Sequence, residues 1–230
     1  MRILDLFSGA GGAAMGLHRY FPEAEIVGVD NRPQPRYPFT FVEADAMEYP
    51  LDGYDFIWAS PPCQGYSVMR HLPWNRDKQY PMLIEPCRER LARAGVPYII
   101  ENVQGAAAVM RTGWLCGTMF GKRFYRHRLF KANFLWLSPP HEIHRATIRR
   151  GYALAGRARD ILFTAEQPRG LSAWRQSHEA AGFALGRGHQ PKAALARAEM
   201  DVEWMTADEL SQAVPPCYSE YLAQFIPLKI

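Results

Sequence analysis

The sequence predicts an α/β protein built on a doubly wound, mostly parallel sheet. Short apolar, β-prone runs alternate with helical stretches through the first hundred residues. A glycine-rich turn, Ser8-Gly9-Ala10-Gly11-Gly12, joins the first strand to the first helix. Several strand-like runs end in a carboxylate or a sharp turn, and the carboxyl ends of strands are where open parallel sheets bind ligands.

The elements follow in order. Arg2 to Phe7 reads as the first strand, and Ala13 to Tyr20 as a helix with Ala14, Leu17 and His18 on one face. Glu25-Ile26-Val27-Gly28-Val29-Asp30 is a second strand, and Phe39-Thr40-Phe41-Val42 a short third one, followed by Glu43-Ala44-Asp45. Phe56-Ile57-Trp58-Ala59 is short, apolar and β-prone and reads as a buried strand, and Pro61-Pro62 stops it. Met82 to Ala94 is helical, and Pro97-Tyr98-Ile99-Ile100 starts another strand. From Trp114 to Leu137 aromatic and basic residues nearly alternate, which predicts antiparallel strands. Residues 138–200 are rich in Arg, Gly and His with weak periodicity, and read as a small irregular insertion. Order returns with a helix start at Asp208, an interruption at Pro215-Pro216 and an amphipathic last helix.

The 230 residues suit one domain with an embedded subdomain, here 1–137, an inserted 138–200, and a segment 201–230 that returns to the first. A formal charge of +4 favours a polyanionic partner. The four cysteines form no C-x-x-C pair, which argues against a zinc site or a disulfide framework and for a reducing cytoplasm. No apolar run approaches the ~20 residues of a membrane span, and no secretory leader is expected. His141-x-x-His144 has no third ligand nearby in sequence, so no metal is expected.

Four features carry chemistry, each with a plainer reading beside it. The turn Asp5-Leu6-Phe7-Ser8-Gly9-Ala10-Gly11-Gly12 lets backbone approach a ligand, or is only a tight turn; it does not match G-x-G-x-x-G. Asp30 is placed to bind ribose hydroxyls and Asp45 to accept from an adenine amino group; alone, each reads equally as a solvated turn carboxylate. Cys63, after Pro61-Pro62, is a rigidly held nucleophile or a small buried hydrophobe. Arg126 and Arg128 flank His127, which places both on one side of a strand, facing a ligand or solvent.

Taken together, the chain resembles the C5-cytosine DNA methyltransferases. The resemblance rests on "DLFSGAGG", "PPCQGYS", Glu101-Asn102-Val103, the R-x-R of "RFYRHRLF" and "QAVPP", in the family's order. Two positions depart from the usual pattern: Phe124 stands where the family has Gln, and Gln212 where it commonly has Asn. The resemblance implies a Rossmann-like methyltransferase fold of the class that binds S-adenosylmethionine (SAM). It implies a cofactor site of Phe7, Ser8, Gly9, Ala10, Gly11, Gly12, Asp30, Asn31, Asp45, Ala46, Pro61, Gln212, Ala213 and Val214. Cys63, Glu101, Arg126 and Arg128 would be catalytic, with Pro62, Gln64, Ser67, Asn102 and Val103 at the substrate.

The implied chemistry is nucleophilic catalysis on an extruded base. Cytosine C5 is a poor nucleophile, and a thiolate added at C6 makes it enamine-like. Glu101 would relieve charge at N3 as a protonated carboxyl. One arginine would reach cytosine O2 or the catalytic loop, and the other a phosphate. A loop over "MRHLPWNRDKQYP", with Arg70, Arg76 and Lys78, would close on the nucleic acid. Residues 138–200, with Arg145, Arg149, Arg150, Arg157, Arg159, Arg169, Arg175 and Arg187, would be a reduced target-recognition region. The expected partner is double-stranded DNA and the expected state a monomer in a bacterial or phage-infected cytoplasm, in restriction-modification or phage DNA modification. A tRNA cytosine-5 methyltransferase and a non-catalytic binder on the same fold remain the competing readings.

Overall fold

The computed structural model describes residues 1–67, 78–122, 124–141, 147–150, 160–163, 183–184 and 193–227. In chain order the strands are β1 (Arg2–Leu6), β2 (Glu25–Asp30), β3 (Thr40–Glu43), β4 (Phe56–Ala59), β5 (Tyr98–Val103), β6 (Gly113–Leu115), β7 (Phe124–Tyr125), β8 (Arg128–Ala132), β9 (Thr147–Arg150), β10 (Asp160–Phe163) and β11 (Phe183–Ala184). The helices are α1 (Gly12–Tyr20), α2 (Ile84–Ala94), α3 (Ala107–Met110), α4 (Ala193–Met200), α5 (Ala207–Gln212) and α6 (Pro216–Ala223). The chain divides into two compact units: residues 1–115, 127–138 and 213–230 form one, and residues 116–126 and 139–212 the other.

The first unit is a seven-stranded sheet in the order β3-β2-β1-β4-β5-β8-β6. β1 to β5 pair in parallel, and β8 runs antiparallel between β5 and β6. This is the mostly parallel, Rossmann-like α/β sheet that the alternating pattern predicted, with its switch point between β1 and β4. Leu4, Leu6, Val27, Val29, Ile57, Ala59 and Ile100 face Ile84, Cys87 and Leu91 of α2 and Met110 of α3 in one buried cluster. The other face takes α1 and α6. Trp58 and Phe130 stack within 5.9 Å, and Phe130 meets Tyr218 of α6 at 5.8 Å.

Side-chain size sets the closeness of α1 and α6. A Cβ on Gly16 would lie 2.0 Å from the Pro216 carbonyl oxygen and 2.2 Å from Ser219 Oγ, so only glycine admits α6 here. Ser219 donates to the Ala13 carbonyl at 2.8 Å across the same contact. Pro216 opens α6, where a missing N–H costs nothing, and this is the interruption read at Pro215-Pro216.

In the second unit β9 and β10 pair antiparallel and β11 pairs with β7 in parallel. Residues 193–200, expected to be irregular, form α4; its Ala-rich start has high helix propensity. Ala196, Met200, Val202, Met205 and Leu210 are buried there. α5 starts one residue before Asp208, because Thr206 and Glu209 cap it reciprocally: the Thr206 N–H donates to the Glu209 carboxylate at 2.6 Å. Among the described residues no helix is long and apolar enough to cross a membrane. Of the basic residues expected to contact nucleic acid, Arg70, Arg76, Arg145, Arg157, Arg159, Arg169, Arg175 and Arg187 lie outside the described residues, as does His144.

Candidate active site

Parallel pairing brings the carboxyl ends of β1 to β5 to one edge of the sheet. β8 runs the other way, so its first residue, Arg128, sits at that same edge, opposite Val103 in the register. Chain segments far apart in sequence thus converge in the first unit.

On the β1–β3 side the site is made of turns. Phe7 adopts the left-handed region (φ 57°), which turns the chain sharply off β1. Ser8 N–H donates to Val29 O and Gly11 N–H to Ser8 O, both at 3.1 Å. Asp30 braces the turn: its Oδ2 accepts from Gly9 N–H and its Oδ1 from Arg32 N–H, each at 3.0 Å. Gly12 must be glycine, because a Cβ there would lie 2.2 Å from the Val214 carbonyl oxygen. The segment Ala213-Val214 therefore returns against the start of α1. Asp45 nucleates its own turn, with Oδ1 accepting from Met47 N–H at 2.8 Å and its carbonyl accepting from Glu48 and Tyr49 at 3.0 Å. Ala46 is buried in that turn and Asn31 is exposed beyond β2.

Beneath this turn sits Asp5, buried on β1 between Gly28 and Trp58. Tyr37 folds back from the loop after β2 and donates its hydroxyl to Asp5 Oδ2 at 3.1 Å. Burial pushes the Asp5 carboxyl up to about 8; the Tyr37 hydrogen bond opposes this and the Asp30 charge adds to it.

On the β4–β5 side the site is tied by side chains. Asn102 Nδ2 donates to the Pro61 carbonyl at 2.9 Å, and its Oδ1 accepts from Val103 N–H at 3.0 Å. Ser60 N–H donates to Leu6 O at 3.0 Å, which joins the turn to β1. The Cys63 carbonyl accepts from Tyr66 N–H (3.0 Å) and Ser67 N–H (2.9 Å), closing a tight turn around the cysteine. The buried Tyr66 accepts at its hydroxyl from Ile84 N–H, 3.1 Å away, and so pins the turn to the first residue of α2. Glu101 Oε1 and Arg128 Nε pair at 2.8 Å, with side chains only 8% and 14% exposed. Cys63 is half-buried, whereas Cys87 is buried against the sheet and its thiol is pushed up to about 12. A thiol held that high stays protonated at neutral pH, which is the state of an inert structural cysteine.

Most residues named from the sequence therefore meet at one edge: Phe7, Ser8, Gly9, Ala10, Gly11, Gly12, Asp30, Asp45, Ala46, Pro61, Pro62, Cys63, Ser67, Glu101, Asn102, Val103, Arg128, Ala213 and Val214. Gln64 is exposed beside Cys63. Gln212 is exposed at the end of α5, in the second unit. The two arginines do not share a strand face, contrary to expectation. The chain leaves strand conformation at Arg126 and His127, so strand alternation does not hold across them. Arg128 pairs with Glu101, while Arg126, 3% exposed, donates from Nη2 to the Ser211 carbonyl at 2.9 Å within the second unit.

The sequence reading assigned no role of its own to Asp5, Tyr37 or Tyr66. Asp5 carries a signal, since a carboxylate inside an apolar strand needs a buried partner. The others act over long sequence separations and leave no local pattern.

The family model for C-5 cytosine-specific DNA methylase matches residues 1–111. Among solved structures, the chain is similar to an antibiotic-related methyltransferase at 14% identity and a TM-score of 0.33, over 57% of this chain and 87% of that one. It is also similar to a predicted O-methyltransferase from Agrobacterium tumefaciens at 14% identity and a TM-score of 0.35, over 60% of this chain and 76% of that one. No curated protein matches the sequence.

Proposed function

We propose, from the match of residues 1–111 to the C-5 cytosine-specific DNA methylases, that the protein methylates C5 of cytosine in double-stranded DNA with SAM as donor. The observation that carries this reading is the Cys63 turn, anchored by Asn102 to β5 and set on the same sheet edge as the buried Glu101–Arg128 pair.

The β1–β3 side fits the donor. Phe7 packs against the core at the base of the turn, and a Cβ at Gly9 would meet nothing within 4 Å, so there is room above the turn. Asp30 and Asp45 keep lone pairs for ribose hydroxyls and an adenine amino group after their backbone bonds are made. When bound, SAM supplies an electrophilic methyl group.

The protein's own residues do the rest. Cys63 adds as thiolate to C6 of a flipped cytosine, and two fixed prolines limit its motion. Glu101 in its protonated form would give a proton to N3, which takes up the charge of the addition, and Arg128 would hold the carboxylate that this leaves and the O2 edge. With the donor bound, C5 would take its methyl group and leave S-adenosylhomocysteine; loss of the C5 proton to solvent or base would then eliminate Cys63 as thiolate, and N3 would return its proton to Glu101. Arg126 acts as a structural arginine of the second unit in this scheme. Residues 1–137 and 201–230 serve catalysis, and 138–200 reads the target.

A second reading, methylation of transfer RNA, is favoured by the leanness of that 138–200 region. One experiment separates the readings: incubation with radiolabelled SAM and either duplex DNA or transfer RNA. Label on C5 of cytosine in duplex DNA is expected. Label only on transfer RNA moves the substrate, and label on neither, with SAM bound, leaves a non-catalytic binder. A wild type that fails to bind SAM by calorimetry near ~10⁻⁶ M would sink the enzyme reading altogether.

A further inference from the structure

Helix α2 reaches the far edge of the sheet through one side chain. Arg90 Nη1 donates to the Ala46 carbonyl at 3.0 Å, and its Nη2 donates to the Tyr49 carbonyl. Both acceptors lie in the turn that Asp45 opens, one directly after Asp45 and the other at the turn's end. The turn's internal shape needs no arginine, because Asp45 already supplies its own hydrogen bonds to Met47, Glu48 and Tyr49. Its position is another matter. It follows β3, a four-residue strand that ends the sheet among the described residues.

We propose that Arg90 is a positioning residue for the cofactor's adenine: by gripping Ala46 and Tyr49 it holds the Asp45 carboxylate where it accepts from the exocyclic amino group. This rests on the nucleoside reading of Asp45 given above. The geometry explains the residue type. A guanidinium fork spans two carbonyls at once, whereas an ammonium acts as a point charge. Arg90 is also partly desolvated, which lowers its pKa, and the nearby Cys87 and Asp45 oppose that shift. It stays charged, as arginine does, and its attraction to Asp45 further orients that carboxylate.

The test compares two ligands, S-adenosylhomocysteine and its inosyl analogue, which lacks the amino group. Binding is measured by calorimetry on wild type, Arg90→Met, Arg90→Lys and Arg93→Met, the last an exposed arginine of the same helix. Wild type is expected to prefer the adenosyl ligand. Arg90→Met should weaken the adenosyl ligand about tenfold, the loss of roughly one charge-assisted hydrogen bond, and the inosyl ligand about twofold or less. Arg90→Lys should fall between, Arg93→Met should match wild type, and kcat at saturating SAM should stay within about twofold for all. The proposal is overturned if Arg90→Met keeps the wild-type preference, or if both ligands weaken equally, which marks a merely structural role. Should Arg90→Met not fold, Arg90→Lys decides by the same ratio. A wild type that binds adenosyl and inosyl ligands alike overturns the Asp45 assignment and the Arg90 proposal with it, and one that binds neither overturns the cofactor reading beneath both.

Discussion

The two sides of the sheet edge, divided between β1 and β4, are built by different means. On the β1–β3 side backbone N–H groups are gathered by two exposed or half-exposed carboxylates, Asp30 and Asp45, and a left-handed Phe7 makes the turn. On the β4–β5 side buried side chains hold one another and the backbone: Asn102 on Pro61, Tyr66 on Ile84, Glu101 on Arg128. Turns of the first kind adapt around a bound ligand and can lose one contact at modest cost. Ties of the second kind are buried, so losing a partner strands a polar group in low dielectric and moves the turn that carries Cys63. Damage on one side should appear in cofactor affinity, and damage on the other in turnover.

Replacement of Cys63 by Ser sharpens that division most. Methyl transfer should fall below detection, since a serine hydroxyl is far less ionised than a thiol, while calorimetry should find S-adenosylhomocysteine bound as in wild type. Duplex DNA with 5-fluorocytosine at the target should trap the wild type and Cys87→Ser covalently on a denaturing gel, because fluorine cannot leave as a cation, and should not trap Cys63→Ser. A trapped Cys63→Ser protein would mean the nucleophile lies elsewhere.

Asn102→Ala comes next. It removes the donor to Pro61 and leaves a buried carbonyl unpaired, a cost of about 1–3 kcal/mol in stability. Turnover should drop by about 100-fold with cofactor affinity within about threefold of wild type. An equal loss of affinity would show that the two sides are not separable. Asp30→Ala is the mirror test. It frees the N–H groups of Gly9 and Arg32 together with the ribose contact, and should raise the dissociation constant of S-adenosylhomocysteine by about 10- to 100-fold, with kcat at saturation nearly unchanged.

A further effect is on pH. Burial pushes the Asp5 carboxyl from its ordinary value of 3.8 up to about 8, so the folded state holds a proton that the unfolded chain has already released. Its contribution to stability is therefore full below about pH 4 and is lost as pH rises through about 8. Urea midpoints measured between pH 5 and 9 should decline across that window, and Asp5→Asn should flatten the decline. A wild-type slope retained in Asp5→Asn would assign the titration to another group.

The division also shows what could be read beforehand. Ser8 to Gly12 and Pro61 to Cys63 are local: composition alone reveals a turn after an apolar strand, because steric rules act between neighbours. Glu101, Asn102 and Val103 were placed at a strand's end by Tyr98-Ile99-Ile100 before them, although β5 runs on through Val103 itself. Arg126 and Arg128 failed that kind of reading, because strand alternation was assumed across a break that only packing produces. α4 was missed because its Ala-rich helix signal was set against a surrounding stretch with little periodicity.

By itself, then, the sequence determined the order of strands and helices over the first hundred residues, the parallel character of the sheet there, and the turns that carry Phe7, Asp30, Asp45 and Cys63, since all of these depend on apolar periodicity and on glycine and proline sterics over a few residues. Tertiary structure alone decided which distant groups meet. Tyr37 reaches Asp5 across 32 residues, Asn102 reaches Pro61 across 41, Arg90 reaches Ala46 across 44, and Arg128 pairs with Glu101. Those pairings follow from strand order and register, which are set by burying the whole apolar surface of the sheet at once, and no short window of sequence contains that sum.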